Sequence, residues 1–365
     1  MHNDTELLYG VPMTRMRRWP YSFALLLSIA VAAAALASSI YLGRPMTDPN
    51  GFLGPAYVRL PLLALLFFGG GIVLDAVRTN GWKQLPRGML EVVKNEWNLR
   101  RVLCITAGML SFYICYVSYR NLKSDLPIYR EDVLYDRELA HSDLWLGGGT
   151  NPAVFLHDLL GTGFTAEVLS FVYLAYLPLI PISLGAALIL SRNVAIGAWY
   201  ATTLSLNWVL GTVSYYILPA LGPAFAQPGL YGDLTPTGVS DLQQSLITTR
   251  LDFLADPIGS GEIQGVAAFA SLHVSVTFAA ALFMMHTRQK PLLQTLTWVF
   301  FGLTVVATLY FGWHYIVDDI AGMGIGWASV ALGAWVTGNR RRRSRQRTDL
   351  REAEHGEVSA LAETA

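Results

Sequence analysis

Two histidines and one aspartate have the residue types and spacing that phosphoryl transfer requires. His314 and Asp318 stand four residues apart, so on a helix they would share one face. A carboxylate at that position can accept the Nδ1–H of the imidazole and leave Nε2 as a nucleophile. Asp319 lies about 100° further around such a helix, so we do not expect it to serve the same histidine. A purely structural hydrogen-bonded pair would have the same spacing.

His273 supplies a second imidazole, between Ser271 and Ser275 in an apolar segment. Two histidines and one carboxylate suit attack on phosphorus by one imidazole and protonation of the leaving oxygen by the other. A metal site is the competing use of these residues. It would require further ligands, and the sequence has neither an H-E-x-x-H motif nor a cysteine cluster. We therefore expect no metal and no other cofactor.

The composition indicates what kind of scaffold holds these residues. Of the 365 residues, 53% are apolar and only 14% are charged, against about 25% charged in soluble domains. The sequence predicts an all-α, polytopic membrane helix bundle. A formal net charge of zero does not favour nucleic acid as a partner. Cys104 and Cys115 would lie roughly 16 Å apart on one helix, so we expect buried free thiols.

Eight apolar segments are candidate transmembrane helices. The second is the weakest, because only 15 uncharged residues separate Arg59 from Asp75; both must reach the membrane surface or face protein. The first could instead be a cleaved signal peptide, since arginines precede it and Ala35-Leu36-Ala37 within it resembles a cleavage site. The segments are residues 21–42, 57–77, 102–119, 167–190, 195–218, 265–286, 292–312 and 315–337.

The distribution of Lys and Arg predicts the orientation of the chain in the membrane. With the N-terminus inside, 19 basic residues lie on the cytoplasmic side and 7 outside, as the positive-inside rule requires. Both termini would then be cytoplasmic, and the two histidines would face the extracytoplasmic side of a cell membrane. The basic segment of the tail, residues 339–347, is expected to attract anionic lipid headgroups, and residues 349–365 to be disordered.

The long outer loops, residues 120–166 and 219–264, carry further expectations. Apolar residues share one helical face in the second loop, which predicts an interfacial helix that is either a lid over a lipid-facing site or a passive packing helix. These residues are Val239, Leu242, Leu246 and Phe253. In the first loop, His141 and His157 lie among acidic residues and are expected to be solvated.

Three segments resemble known motifs. FASLHVS (269–275) and YFGWHYIVDDIAG (310–322) are similar to the second and third motifs of the type-2 phosphatidic acid phosphatase superfamily, and closest to its inositol phosphorylceramide synthase branch. YYILPALGPAF (215–225) resembles the upstream Pro/Gly-rich segment. The resemblance implies a six-helix catalytic core over about residues 102–337. It also implies a phosphohistidine on His314, oriented by Asp318, with His273 as acid and base.

The resemblance also suggests how the chain is divided and which residues contact substrate. Residues 1–100 would be an N-terminal addition with two transmembrane helices, 101–338 the catalytic core and 339–365 a cytoplasmic tail. Ser271 and Tyr315, which lie within the motifs, are candidate substrate-binding residues. One departure is Ala270, which replaces an expected proline.

A second departure bears on the substrate. Ala307 and Thr308 stand where the phosphatase branch has a serine and an arginine that clamp phosphate. A phosphodiester carries one negative charge and needs this clamp less than a monoester dianion does. Arg120 and Lys123, at the outer end of the third span, are candidates to supply the remaining positive charge; the alternative is that they reach lipid headgroups at a helix end.

The sequence therefore predicts a lipid phosphotransferase that moves a phospho-headgroup from a phosphodiester lipid to a lipid alcohol. A phosphatase acting on a lipid phosphate or a prenyl pyrophosphate is the alternative within enzymes. A transporter or a structural membrane protein is less favoured, because the charged residues lie at the ends of the spans rather than at the midplane.

Overall fold

A computed structural model describes residues 19–48, 62–63, 65–95, 97–130, 133–191 and 193–339. Within these ranges the regular structure is helical. Two one-turn 3-10 helices, Trp82–Gln84 and Pro228–Tyr231, and a π-helical turn, Leu65–Gly69, accompany thirteen α-helices. The α-helices are α1 (Ser22–Leu42), α2 (Gly70–Asn80), α3 (Leu85–Asn95), α4 (Leu99–Arg130), α5 (Asp136–Leu146), α6 (Pro152–Leu160), α7 (Phe164–Leu190), α8 (Val194–Ile217), α9 (Pro223–Ala226), α10 (Gly238–Ala255), α11 (Leu272–His286), α12 (Pro291–Tyr310) and α13 (Ile316–Val336).

The prediction of a polytopic helical membrane protein is confirmed. Five of the described helices are long and apolar enough to cross a bilayer: α1, α4, α7, α12 and α13. This is fewer than the eight predicted spans. From residue 65 onward, the second span, 57–77, is the π-helical turn followed by the 11-residue α2, and Arg59 lies outside the described residues. The sixth span is also shorter than predicted, because α11 has only 15 residues.

Helix α8 lies at the centre of the bundle, in contact with α1, α4, α7, α11 and α13. Its 24 residues are mostly buried, including polar ones such as Thr202, Ser205 and Asn207. A helix surrounded by protein can carry polar side chains that a lipid-facing helix could not. The hydroxyl of Ser275 on α11 donates to Asn207, so the buried polar groups join neighbouring helices.

Two helix boundaries differ from the sequence prediction. Helix α4 continues to Arg130 rather than ending near residue 119, so the first outer loop begins later. The extension is stabilised by Asp125, which pairs with Arg44 and accepts a hydrogen bond from Ser38 at 2.6 Å. Helix α11 begins at Leu272 rather than 265, because the preceding backbone is extended and bonds to other segments.

Three smaller predictions concern Asp75, the two cysteines and the C-terminal tail. Asp75 faces protein, as expected: its carboxylate pairs with Arg101 at 2.8 Å and is 3.3 Å from Trp97 Nε1. Both cysteines are free and buried. The basic segment 339–347 lies, from residue 340 onward, outside the described residues, as do residues 349–365.

The outer loops contain ordered helices. A helix forms where the second loop was predicted to have one: α10 has Val239 and Phe253 fully buried and α7 as its packing partner. His141 is exposed, as expected, but the prediction that His157 is solvated is wrong. Its Nε2 lies 2.8 Å from the Tyr310 carbonyl and its ring packs against the Tyr310 ring, because α6 lies against α12.

Candidate active site

His314 lies in the short turn between α12 and α13. Tyr315 is the residue before α13, and its backbone N–H donates to Asp318 Oδ2 at 3.0 Å, so this carboxylate caps the helix. The same Oδ2 is 3.5 Å from His314 Nδ1. The carboxylate therefore faces the imidazole nitrogen that the four-residue spacing predicted.

His273 approaches from the first turn of α11. Ser271 caps that helix by accepting from Val274 N–H at 3.4 Å, and its own N–H donates to the Asp318 carbonyl oxygen at 3.0 Å. These bonds join the starts of α11 and α13. As a result the rings of His273 and His314 have centroids 6.1 Å apart. Ser271 is fully buried, so its observed role is to hold the two helix ends together.

Aromatic side chains enclose His273 on one side. The rings of Tyr173 and Tyr176 have centroids 4.4 and 4.2 Å from the His273 ring. Trp313 stacks on Tyr173 at 5.1 Å. No motif in the sequence indicated this aromatic wall, although the three-residue spacing of the tyrosines on α7 places them on one helical face. Such a surface excludes water from the imidazole.

Lys123 is the cation that interacts electrostatically with both histidines. It is 7% exposed, and its Nζ is 4.7 Å from the centroid of the Tyr215 ring. Arg120, one turn earlier on α4, lies along Gly265, where a Cβ would be 3.6 Å from the guanidinium. Of the two predicted cations, Lys123 is thus the one placed with the imidazoles.

Burial controls the charge state of the candidate nucleophile. His314 is 5% exposed, and burial lowers its pKa to about 4, with Lys123 acting in the same direction and Asp319 opposing it. The imidazole is therefore neutral near pH 7. A neutral imidazole has the lone pair that attack on phosphorus requires.

Asp319 has a larger part in the site than its helical position suggested. The carboxylate is 2% exposed, accepts from the Thr308 hydroxyl at 3.0 Å and also bonds the Ser271 hydroxyl. It interacts electrostatically with His314. Thr308 and its neighbour Ala307 are fully buried. The position where the resemblance would place an arginine therefore holds a threonine that donates to a carboxylate.

Two carboxylates from α5 complete the surroundings of the histidine turn, and neither was predicted. Asp143 accepts from the Ile316 N–H at 2.8 Å. Burial raises the pKa of Asp143 to about 7, and the nearby Asp318 charge adds to the increase. Asp136 accepts from the Tyr315 hydroxyl at 2.9 Å. The Tyr315 hydroxyl, a predicted substrate contact, is thus engaged with protein.

The part of the chain that holds the two histidines is similar to a known protein family. The family model described as PAP2 superfamily matches residues 137–332, which is more than half of the chain and includes both histidines. The protein therefore belongs to the PAP2 superfamily. Membership makes it a phosphatase- or phosphotransferase-type enzyme that acts on membrane lipids. No curated protein and no solved structure shows a significant match.

Proposed function

We propose that the protein is a lipid phosphotransferase that moves a phospho-headgroup between lipids through a phosphohistidine on His314. The observation that carries the proposal is the arrangement of three side chains. A buried, neutral His314 faces Asp318 at 3.5 Å on one side and His273 at 6.1 Å between ring centroids on the other. This spacing puts both imidazoles within reach of a single phosphoryl group.

The reaction has two steps. Binding of the anionic phosphodiester favours the protonated form of His273. The His314 nitrogen that does not face Asp318 then attacks phosphorus, the bond from phosphorus to the leaving alcohol breaks, and His273 gives that alcohol its proton. The acceptor alcohol then gives its proton to His273 and attacks the phosphohistidine, which breaks the P–N bond and restores the enzyme. Asp318 holds the His314 ring orientation throughout.

The local charge favours a phosphodiester donor over a phosphate monoester. A monoester dianion would lack the contact that an arginine at position 308 could make, and a hydrogen bond to a charged group contributes about 1.5–3 kcal/mol. In its protonated form, Lys123 would supply one positive charge near both imidazoles. One charge matches a phosphodiester anion.

The aromatic wall and α10 support transfer rather than hydrolysis. Tyr173, Tyr176 and Trp313 keep water from the His273 side, and α10 packs over the same end of α7. Excluding water protects a phosphohistidine from hydrolysis until a lipid alcohol arrives. We place the site on the extracytoplasmic side on the basis of the Lys and Arg distribution.

The test is headgroup exchange in proteoliposomes. Purified protein receives phosphatidylinositol or another glycerophospholipid together with ceramide or diacylglycerol, and lipids are followed by mass spectrometry. We expect a new phosphodiester and free diacylglycerol from the donor, and no turnover by His314→Ala or His273→Ala. His141→Ala, at an exposed histidine, is the matched control and should keep full activity.

The same preparation distinguishes the phosphatase alternative. Phosphatidic acid and a prenyl pyrophosphate are offered separately, and inorganic phosphate is measured. Rapid phosphate release without any headgroup movement between lipids would overturn the transferase proposal in favour of a phosphatase. Turnover by His314→Ala equal to that of the native protein would remove the proposed nucleophile.

A further inference from the structure

Asp136, the first residue of α5, is the point where three separate segments meet. Its carboxylate accepts from the backbone N–H of Leu221 at 2.9 Å and of Gly222 at 2.9 Å. It also accepts from the Tyr315 hydroxyl at 2.9 Å. The residue is only 9% exposed. An ionised carboxylate has about four acceptor sites, so it can serve all three donors at once.

The segments that Asp136 joins are those that support the two histidines. Tyr315 directly follows His314. In the Pro/Gly-rich segment, the Ala220 carbonyl accepts from Ala268 N–H at 2.8 Å, on the backbone that leads to α11 and His273. Further along the same segment, Ala224 N–H donates to the Gly312 carbonyl at 2.7 Å. Asp136 thus connects the support of both imidazoles through one side chain.

All three donors are neutral, so no opposite charge offsets the burial of the Asp136 carboxylate. Burying an ionised group costs more than burying an amide unless its hydrogen bonds compensate. An asparagine has one carbonyl oxygen and would leave at least one donor without its acceptor. The carboxylate is therefore the side chain that can hold the backbone pair and the phenol in one fixed arrangement.

We propose that Asp136 is a positioning residue of the phosphoryl-transfer site. It sets the position of the His314 turn relative to residues 219–222, and through them relative to His273. This inference rests on the proposed function. The inference goes beyond the proposed function because it assigns a role to a helix that carries none of the three proposed catalytic residues. It predicts that α5 controls turnover rather than lipid binding.

The first test separates kcat from KM in the headgroup-exchange assay. Asp136→Asn should lower kcat at least tenfold with KM within about twofold of the native value, since a displacement of about 1 Å can cost 10²-fold in rate. Tyr315→Phe removes only the phenol link and should lower kcat less. The double variant should lose less than the product of the two single losses, because both act through one contact. Glu138→Gln, at an exposed carboxylate on the same helix, is the control.

The second test needs no substrate. In protein labelled with 15N-histidine, the ring nitrogen resonances of His314 and His273 are assigned from their alanine variants. Asp136→Asn should shift both sets, and Glu138→Gln neither. If Asp136→Asn does not fold, Tyr315→Phe, which keeps both backbone bonds, should still shift the His314 set.

The outcomes distinguish this inference from the proposed function. If the native protein transfers no headgroup, the proposed function fails. The comparison of the histidine ring resonances between Asp136→Asn and native protein then tests by itself whether Asp136 positions the two imidazoles. If folded Asp136→Asn keeps native resonances, or a native kcat with only a lower melting temperature, Asp136 is merely structural and the inference is overturned.

Discussion

Replacing Gly222 with alanine should disable the site while leaving the fold intact. Gly222 has φ 100° and ψ 156°, a backbone region that is essentially limited to glycine. An added Cβ would lie 2.5 Å from the Trp313 carbonyl oxygen. Real Cβ contacts are hardly ever shorter than 3.0 Å, so the carbonyl before His314 must move by at least the difference, about 0.5 Å. Because a 1 Å misplacement can cost about 10²-fold in rate, we expect roughly a tenfold loss of kcat or more.

A matched control separates this displacement from backbone strain. Gly81 has φ 72° and ψ 170°, in the same backbone region, but no atom lies within 4 Å of an added Cβ. Both alanine variants should lose about 1–3 kcal/mol of stability from the strained backbone, measured by thermal unfolding. Only Gly222→Ala should lose headgroup exchange per folded molecule. Native turnover in Gly222→Ala, or an equal loss in Gly81→Ala, would refute the displacement argument.

Three further predictions concern the neighbouring carboxylates and the orientation of the chain. Asp318→Asn should lower kcat by up to about 10⁴-fold, because the correct tautomer of His314 is lost. Asp319→Asn keeps an oxygen for its two hydroxyl partners and should lower kcat less than tenfold. The reverse order in the exchange assay would contradict this prediction. Burial raises the pKa of Asp143 to about 7, so the folded state binds this proton more tightly than the unfolded state and the native protein loses stability as pH rises from about 4 to about 7. The melting temperature of Asp143→Asn relative to native protein should therefore increase across this range, and a pH-independent difference would count against the raised pKa. On the basis of the Lys and Arg distribution, a cysteine introduced in 228–236 should react with an impermeant thiol reagent from outside, and one in 84–90 should not. The native cysteines are buried and should give no background labelling. Reversed labelling would place the site in the cytoplasm.

The sequence alone determined the class of fold, and it also supplied the residues of the proposed reacting pair. Low charge and long apolar segments indicate membrane helices, because the hydropathy of a segment is a property of its own residues. The four-residue spacing of His314 and Asp318 likewise lies within one helical turn, and the structure has the carboxylate facing Nδ1. The order of the motifs also predicted that His273 and His314 would lie at the same end of the bundle.

Other features depend on contacts between residues far apart in the chain, so no local pattern could predict them. The 120–130 segment is polar, and it is helical because Asp125 finds Arg44 and Ser38 on another segment. Asp136 joins Leu221 and Tyr315, the latter 179 positions away. Hydropathy and periodicity report on neighbours along one helix, whereas a buried carboxylate is acceptable only where folding brings its donors together. Tertiary structure therefore decided which carboxylates surround the histidine turn. It also decided which of the two candidate cations, Lys123 and not Arg120, acts electrostatically on both imidazoles.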